Sequence, residues 1–432
     1  MSNLNKNVIN HKSKALRLAF FTLAVLVVLF GLKGQAVTAD DSAIVASEWE
    51  VDNLLLSTQN QKASIPSIAV QNNGTLHAAF KQGANPVYVS SSNGGTTWTS
   101  PQTIRNNANA TVVDKVDIAV SDNGVVHAAW IEINNTNLYT LLYASKSGAN
   151  WGSPETIESS PFPIVLNQSS LAVKNGRVYL VWERINSGIQ FAKRSGGTWA
   201  TPTEILGTST ARLPEIAIDA NENLHIIYLK RGTPNSARYI QSGDLGATWT
   251  GNVPVSSGLD VKDVDLVLDG SNIHVTFGAI DTSPSSSSTE AAPYYTVCVA
   301  NCGSVSSWSA AAIVTNREIS DLPVDAPFNA TIAITEKDQP LVFFHGAFGS
   351  NQSTEQVLGT CYQPSGQTGK DYNLPTIFTE RMVNPQIVYS NGLMHMVYEK
   401  VVGQGASASL REVRYARLAV SCYDVYLPLI FK

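Results

Sequence analysis

The residues with the strongest claim to chemistry are Glu132, Glu183, Arg184, Arg212, Lys230, Arg231 and Glu399. All but Arg212 follow an apolar run carrying an aromatic residue: Ala129-Trp130-Ile131 before Glu132, Val181-Trp182 before Glu183, Tyr228-Leu229 before Lys230 and Val397-Tyr398 before Glu399. Two carboxylates such as Glu132 and Glu183 could serve as acid and base in glycoside hydrolysis if held about 5 to 10 Å apart. Arginines suit another task, the two-pronged grip of a carboxylate through charge-assisted hydrogen bonds. The plainer alternative is a set of solvated charges at strand ends. Choosing among these requires the elements that carry them.

Those elements form a repeat. An apolar triplet, a polar turn and an apolar run ending in an aromatic residue, with His in its second position in five copies, occur together seven times, from Ile68 to Phe80, Ile118 to Trp130, Leu171 to Trp182, Ile216 to Tyr228, Leu266 to Phe277, Ile332 to Phe344 and Ile387 to Tyr398. The spacing runs from 45 residues (Leu171 to Ile216) to 66 (Leu266 to Ile332). Asn73-Gly74, Asn123-Gly124, Asn175-Gly176, Asp269-Gly270 and Asn391-Gly392 mark the turns inside these pairs. A third strand, a Gly-rich turn and a Trp-bearing fourth strand follow, as in Val87-Tyr88-Val89 to Trp98. Four antiparallel strands at this period predict an all-β, seven-bladed β-propeller. The seventh unit lacks its Trp strand, which either Glu48 to Leu55 or Tyr423 to Ile430 could supply to hide the open sheet edge. Thr282 to Thr289 and Gly346 to Gln356 read as surface loops.

Strand order assigns the faces. Second-to-third loops and blade-to-blade connections share one face, which gathers Lys81, Glu132, Glu183, Arg184, Lys230, Arg231, His345, Glu399 and Lys400 from the ends of second strands. The starts of first strands add Ser64, Asp114, Lys115, Asn167, Arg212, Asp263, Asn329 and Asn384. A mixed set of this kind fits a polar ligand, a glycan or another extracellular polymer. On that reading, substituting Arg184 or Arg212 changes binding more than stability. His77, His127, His225, His274 and His395 occupy one slot of the repeat, which predicts a packing role, a hydrogen bond to a neighbouring strand or blade, and not a metal ring. No Ser-His-Asp pattern, phosphate loop or metal-binding spacing is present, so neither metal nor cofactor is expected.

Ser242-Gly243-Asp244-Leu245-Gly246-Ala247-Thr248-Trp249 resembles, residue for residue, the Asp-box (BNR) motif of sialidases and related β-propellers. Ser91-Ser92-Asn93-Gly94-Gly95-Thr96-Thr97-Trp98 keeps everything but the Asp. The resemblance implies a structural role for Ser242, Asp244, Gly246, Thr248 and Trp249, and for Asn93, Gly95 and Trp98. The acidic side chain and hydroxyls would hold the turn while the Trp packs between strands. It also implies that the opposite face would hold any active site. Sialidases carry an arginine triad, an Asp acid/base and a Tyr paired with a Glu, on six blades. The segment that opens their first blade, R-I-P, is here Ser64-Ile65-Pro66, and Arg212-Leu213-Pro214 is a displaced copy in the fourth repeat. A hydroxyl does not replace a guanidinium clamp. The resemblance therefore implies the fold, with seven blades or the six of sialidases, and the expected function is non-catalytic recognition of a glycan or other extracellular polar ligand. A secreted glycoside hydrolase, including a divergent exo-sialidase, and a cell-surface structural module are the alternatives.

Charged residues are 15% of the 432, and the net charge of −5 leaves no basic stripe for nucleic acid. Lys6, Lys12, Lys14 and Arg17, the apolar run Leu18 to Leu32 and Val37-Thr38-Ala39 read as a secretory signal over residues 1–39. The apolar run is shorter than the ~20 residues a membrane span needs. The expected organisation is a propeller over 40–422 and an apolar tail over 423–432, secreted and monomeric, without a membrane span after cleavage. Four cysteines fit an oxidising compartment. Cys298 and Cys302 flank a tight turn and could pair locally, with Cys361 and Cys422 left for each other, but three connectivities stay open.

Overall fold

The second strand of each repeat is buried along nearly its whole length, as in Leu76 to Phe80 and Val126 to Glu132. A strand covered on both faces needs neighbours on both sides, which explains why these segments are continuous apolar runs and not alternating ones. The computed structural model describes residues 49–282, 291–314, 329–347, 355–362, 370–373, 381–402, 410–420 and 422. The expected signal segment and C-terminal tail lie outside them.

Within these residues seven antiparallel sheets follow one plan, inner strand to outer strand in chain order. Blade 1 comprises Ala63–Val70, Leu76–Gln82, Asn85–Ser91 and Gln102–Thr103, and blade 4 comprises Ala211–Ile218, Leu224–Lys230, Ser236–Ser242 and Thr250–Pro254. In blades 2 and 5 the inner strand is split, into Ala110–Val112 with Asp117–Val120 and Leu259–Val261 with Asp265–Asp269. Blade 7 takes Arg381–Ser390, Leu393–Val402 and Leu410–Ala419 from the end of the chain, and its outer strand is Trp49–Leu55 from the beginning. Pairing of Trp49 with Leu418 and Leu55 with Arg414 closes the ring and covers the sheet edge. Of the two candidates for this strand, the N-terminal one holds the position. Cys298–Cys302 and Cys361–Cys422 are disulfide-bonded, the second tying blade 6 to the segment after the third strand of blade 7. The expected loop over Gly346 to Gln356 is shorter than the sequence suggests, since Gly346 pairs with Gln356 inside the sheet.

Each seam between blades is built on aromatic contacts. The repeat histidine meets a tyrosine of its own third strand through Nδ1, at 2.8 Å for His77 and Tyr88, 2.7 Å for His127 and Tyr143, 2.6 Å for His225 and Tyr239, and 2.7 Å for both His274 and Tyr295 and His395 and Tyr415. The Trp of the following blade then stands edge-on against that tyrosine: Trp151 on Tyr88, Trp199 on Tyr143, Trp308 on Tyr239 and, around the closure, Trp98 on Tyr415. The tryptophan thus packs between blades, not between strands of one blade as the resemblance implied. It precedes the fourth strand instead of lying within it in blades 1 and 4, whose outer strands begin at Gln102 and Thr250.

The turn before Trp249 is held from within. Ser242 Oγ donates to Asp244 Oδ1 at 2.8 Å and accepts from the Gly246 amide at 2.9 Å, while Thr248 donates its amide (2.8 Å) and hydroxyl (2.6 Å) to Asp244. These bonds hold Asp244 well below the usual carboxylate range, at about 2, the Thr248 hydroxyl contributing most. In blade 1 Asn93 repeats the pattern with one polarity reversed, its amide donating to the Thr97 hydroxyl at 2.9 Å. Gly246 sits at φ +86, and a Cβ there would lie 2.2 Å from Phe191 of the preceding blade. Gly246→Ala is expected to cost about 2 kcal/mol in urea unfolding, combining left-handed backbone strain with overpacking of the seam. The Phe191→Leu background should return part of that loss if the ring is what the new methyl meets.

Candidate functional site

On the face where second strands end, the carboxylates are buried. Glu132 is 4% exposed, Glu183 1% and Glu399 0%. They are not solvated strand-end charges, and the reason is that each has acquired an arginine and further donors. Glu183 is ion-paired with Arg212, 3.0 Å from its Nε, and accepts from Asn167 Nδ2 at 3.2 Å. Glu399 accepts from Arg411 Nη1 at 2.7 Å, Asn384 Nδ2 at 2.6 Å and the Ile65 amide of blade 1 at 2.7 Å. Glu132 accepts from Trp130 Nε1 at 2.8 Å and lies 3.5 Å from Arg105. Arg184 pairs with Glu158, which also accepts from Trp182 Nε1 at 2.7 Å. The arginines remain partly open, with side chains 30% exposed at Arg105, 29% at Arg184, 30% at Arg212 and 40% at Arg411.

Strand alternation decides which of these residues meet. Glu132 lies two residues from Trp130 and shares its side, toward Arg105 and Asn107 of the blade 1 to blade 2 connection. Glu183 is one residue from Trp182 and faces blade 4. The two carboxylates therefore enter different seams. Glu183, Arg212 and Arg231 do come together: Arg231 is exposed, and its charge, with that of Arg212, favours the ionised form of Glu183 against the burial that pushes its carboxyl upward. Lys230 is half-buried at the end of its strand opposite Ala211. Glu399 closes the seam between blades 7 and 1, away from the others. Arg212 is anchored to the buried Glu183 and Arg184 to the half-buried Glu158, so their removal leaves an acid without its partner and affects stability as well as any ligand.

A ring of residues that sequence reasoning missed lies further inward. Immediately before each apolar triplet stands a polar residue, Ser67, Asp117, Ser170, Glu215, Asp265, Thr331 and Gln386. Several bond to the inner strand of the next blade: Ser67 Oγ donates to Val116 O at 2.6 Å, and Asp117, Ser170 and Asp265 accept the amides of Leu171 (2.7 Å), Ile216 (3.2 Å) and Ile332 (3.0 Å). The signal was the seven-fold polar position itself. Lys115 of blade 2 reaches past blade 3 to Glu215 of blade 4, 2.5 Å from Nζ to Oε1, and lies 3.9 Å from Asp117. Burial by itself would lower the Lys115 ammonium, but Glu215 and Asp117 hold it well above its ordinary value. Burial lifts Asp117 to about 6 against the pull of Lys115, and lifts Asp265 to about 7 with Glu215 adding to the rise.

The inner strands also share a distortion. Ile65 (φ 56), Gln168 (φ 46), Leu213 (φ 50) and Asn384 (φ 55) are left-handed, each at a register shift. A β-branched residue in this region is a strained one. At Ile65 and Asn384 an acceptor from the preceding blade meets the amide, Glu399 at 2.7 Å and His345 Nδ1 at 3.5 Å. One Tyr–Glu contact, Tyr179 to Glu222 at 3.3 Å, lies at the opposite ends of the strands, and burial followed by the Glu222 charge pushes its hydroxyl up to about 12, the wrong direction for a nucleophile.

No protein-family model and no curated protein matches the chain. Among solved structures it is similar to a protein of unknown function from Dyadobacter fermentans, at 12% identity and a TM-score of 0.51, covering 86% of this chain and 99% of that one. It is also similar to the endosialidase of phage phi92, at 11% identity and a TM-score of 0.53, covering 90% of this chain and 73% of that one. At these identities the likeness concerns architecture: the fold is that of the sialidase-like β-propellers.

Proposed function

We propose that this is an exported recognition protein that binds an acidic glycan on the face where second strands end, without turning it over. The observation that carries this reading is that Glu132, Glu183 and Glu399 are buried and held by arginines, whereas those arginines keep a third or so of their side chains open. A carboxylate already bonded on both oxygens is poorly placed to shuttle protons. A guanidinium fixed at one edge keeps further N–H donors for a ligand carboxylate, and its orientation costs nothing at the moment of binding. Export is supported by the signal-like residues 1–39 and by two disulfides. The Ser242 to Trp249 turn supports placing the chain among Asp-box repeats, and the endosialidase among its structural neighbours makes sialosides the first ligands to try.

The hydrolase alternative retains one favourable observation, the burial-raised carboxyl of Glu183, the state a general acid needs. A glycan array run beside a fluorogenic sialoside and glycoside screen separates the two. Binding to acidic glycans without turnover is expected. Arg231→Gln, which removes an exposed charge, should weaken that binding about tenfold at an unchanged unfolding midpoint. Turnover that disappears in Glu183→Gln would replace the recognition reading with the hydrolase one.

A further inference from the structure

The opposite face carries a groove of about 440 Å³ between blades 1 and 2, lined by His77, Tyr88, Ser90, Thr99, Gln102 and Lys146 among others, with no carboxylate on its walls. We propose that this groove is a second binding site, one that takes the oxyanion of a small acidic saccharide, a carboxylate or a sulfate.

Lys146 and Arg194 hold equivalent positions, opposite the first buried residue of their second strands, Val126 and Val178. In blades 1 and 4 that position is Ser91 and Ser242, the serine that holds the turn. In blades 2 and 3 a cation has replaced it and reaches back over the tyrosine of the preceding blade, Lys146 Nζ at 5.7 Å from the Tyr88 ring centroid and Arg194 at 5.4 Å from that of Tyr143. The outer strands facing these cations are also copies: Trp98-Thr99-Ser100-Pro101-Gln102-Thr103-Ile104 in blade 1 and Trp151-Gly152-Ser153-Pro154-Glu155-Thr156-Ile157 in blade 2.

The seam between blades 2 and 3 is neutralised from within. Glu155 takes Arg194 on both oxygens, at 3.0 and 2.8 Å, and His127 Nε2 has Ser121 Oγ at 3.4 Å. In the seam between blades 1 and 2 the acid is replaced by the amide Gln102. Gln102 and Lys146 both donate to one carbonyl, that of Ala149, Gln102 at 3.3 Å. Lys146 has no carboxylate partner among the described residues. His77, which lines the groove, is 5% exposed, and its buried Nε2 has no hydrogen-bond partner. An ammonium without an acid, an imidazole nitrogen without a partner and hydroxyls from Ser90 and Thr99 together lack one component, an anion bearing several acceptors. Burial, then the Lys146 charge, depress the His77 imidazole to about 4, and a bound anion would raise it again.

The test is a titration of the protein, followed through its histidine side-chain resonances, with sodium glucuronate, sodium sulfate and, as the uncharged control, glucose. Saturable movement of the His77 signal by glucuronate, sulfate or both is expected, with His127 unmoved; which anion binds more tightly identifies the carboxylated or sulfated source. Lys146→Gln should weaken the response at least tenfold. Gln102→Glu should abolish it, because the new carboxylate would take up Lys146 as Glu155 takes up Arg194, and the seam between blades 2 and 3 shows that the fold accommodates that pair. The proposal is overturned by the absence of any response to both anions, by an equal response to glucose, or by an anion response that survives both substitutions. Because this groove is remote from the arginine face, Arg231→Gln should leave its titration unchanged, so failure of either site is seen separately.

Discussion

In the Glu399→Ala variant, urea unfolding is expected to report a loss of about 2–3 kcal/mol, the cost of leaving enclosed donors without their acceptor. Glu399 is fully enclosed, and its two oxygens take three donors, from Arg411, Asn384 and the amide of Ile65. The Ile65 bond crosses from blade 7 to blade 1 and so ties the blade that closes the ring to the first one. Removing the side chain leaves Arg411, 40% exposed, to solvent, and leaves the amide of a strained, left-handed isoleucine without its acceptor. Glu399→Gln keeps one oxygen for that amide and gives up the ion pair, so it should fall between the variant and the parent. Equal losses for Ala and Gln would place the whole effect in the Arg411 pair and remove the cap at Ile65 from the account.

Much of this architecture was legible because a propeller repeats its constraints. Seven apolar-aromatic runs and their Asn-Gly turns announce seven four-stranded blades, and Trp49 to Leu55 was visible as a candidate closing strand because blade 7 had lost its own. The histidine slot read as packing for the same reason, although the aromatic ring of the next blade that completes each His–Tyr contact, a Trp in four seams and Tyr362 against Tyr295, was not visible, since strand pattern says nothing about the angle between sheets. The face of Glu132, Glu183 and Glu399 was located correctly in the strands and misjudged in its environment. Their partners Arg105, Arg212 and Arg411 come from a connection, the first strand of another blade and a third strand, and no spacing in the sequence links such positions. Gln102 and Glu155 make the opposite point. Their difference stands openly in two aligned copies of one segment, but it acquires meaning only when Lys146 and Arg194 are seen above them.

The second large effect concerns Lys115, and its sign depends on pH. Lys115→Met removes the cation set among Glu215, Asp117 and Asp265, and at pH 8 this is expected to cost about 3 kcal/mol. Asp117 at about 6 and Asp265 at about 7 are raised above the unfolded value near 3.8, so the folded protein takes up protons before the unfolded chain does. Such groups add stability as pH falls through their folded pKa and lose it as pH rises. Without the ammonium both carboxyls should rise further, and at pH 5 they would be neutral, leaving the Lys115–Glu215 pair as what the substitution breaks. The cost of the substitution should then shrink to about 2 kcal/mol. The histidines act in the opposite sense: His77, His127, His274 and His395, held neutral near 4 by burial, remove stability as pH drops from 6.5 toward 4. Their contribution is common to parent and variant and cancels in the difference, because their seams lie at the other ends of the strands. A cost that stays constant between pH 8 and pH 5 would mean that Lys115 acts through packing along its aliphatic stem, and the axial carboxylates would then need another source of stabilisation.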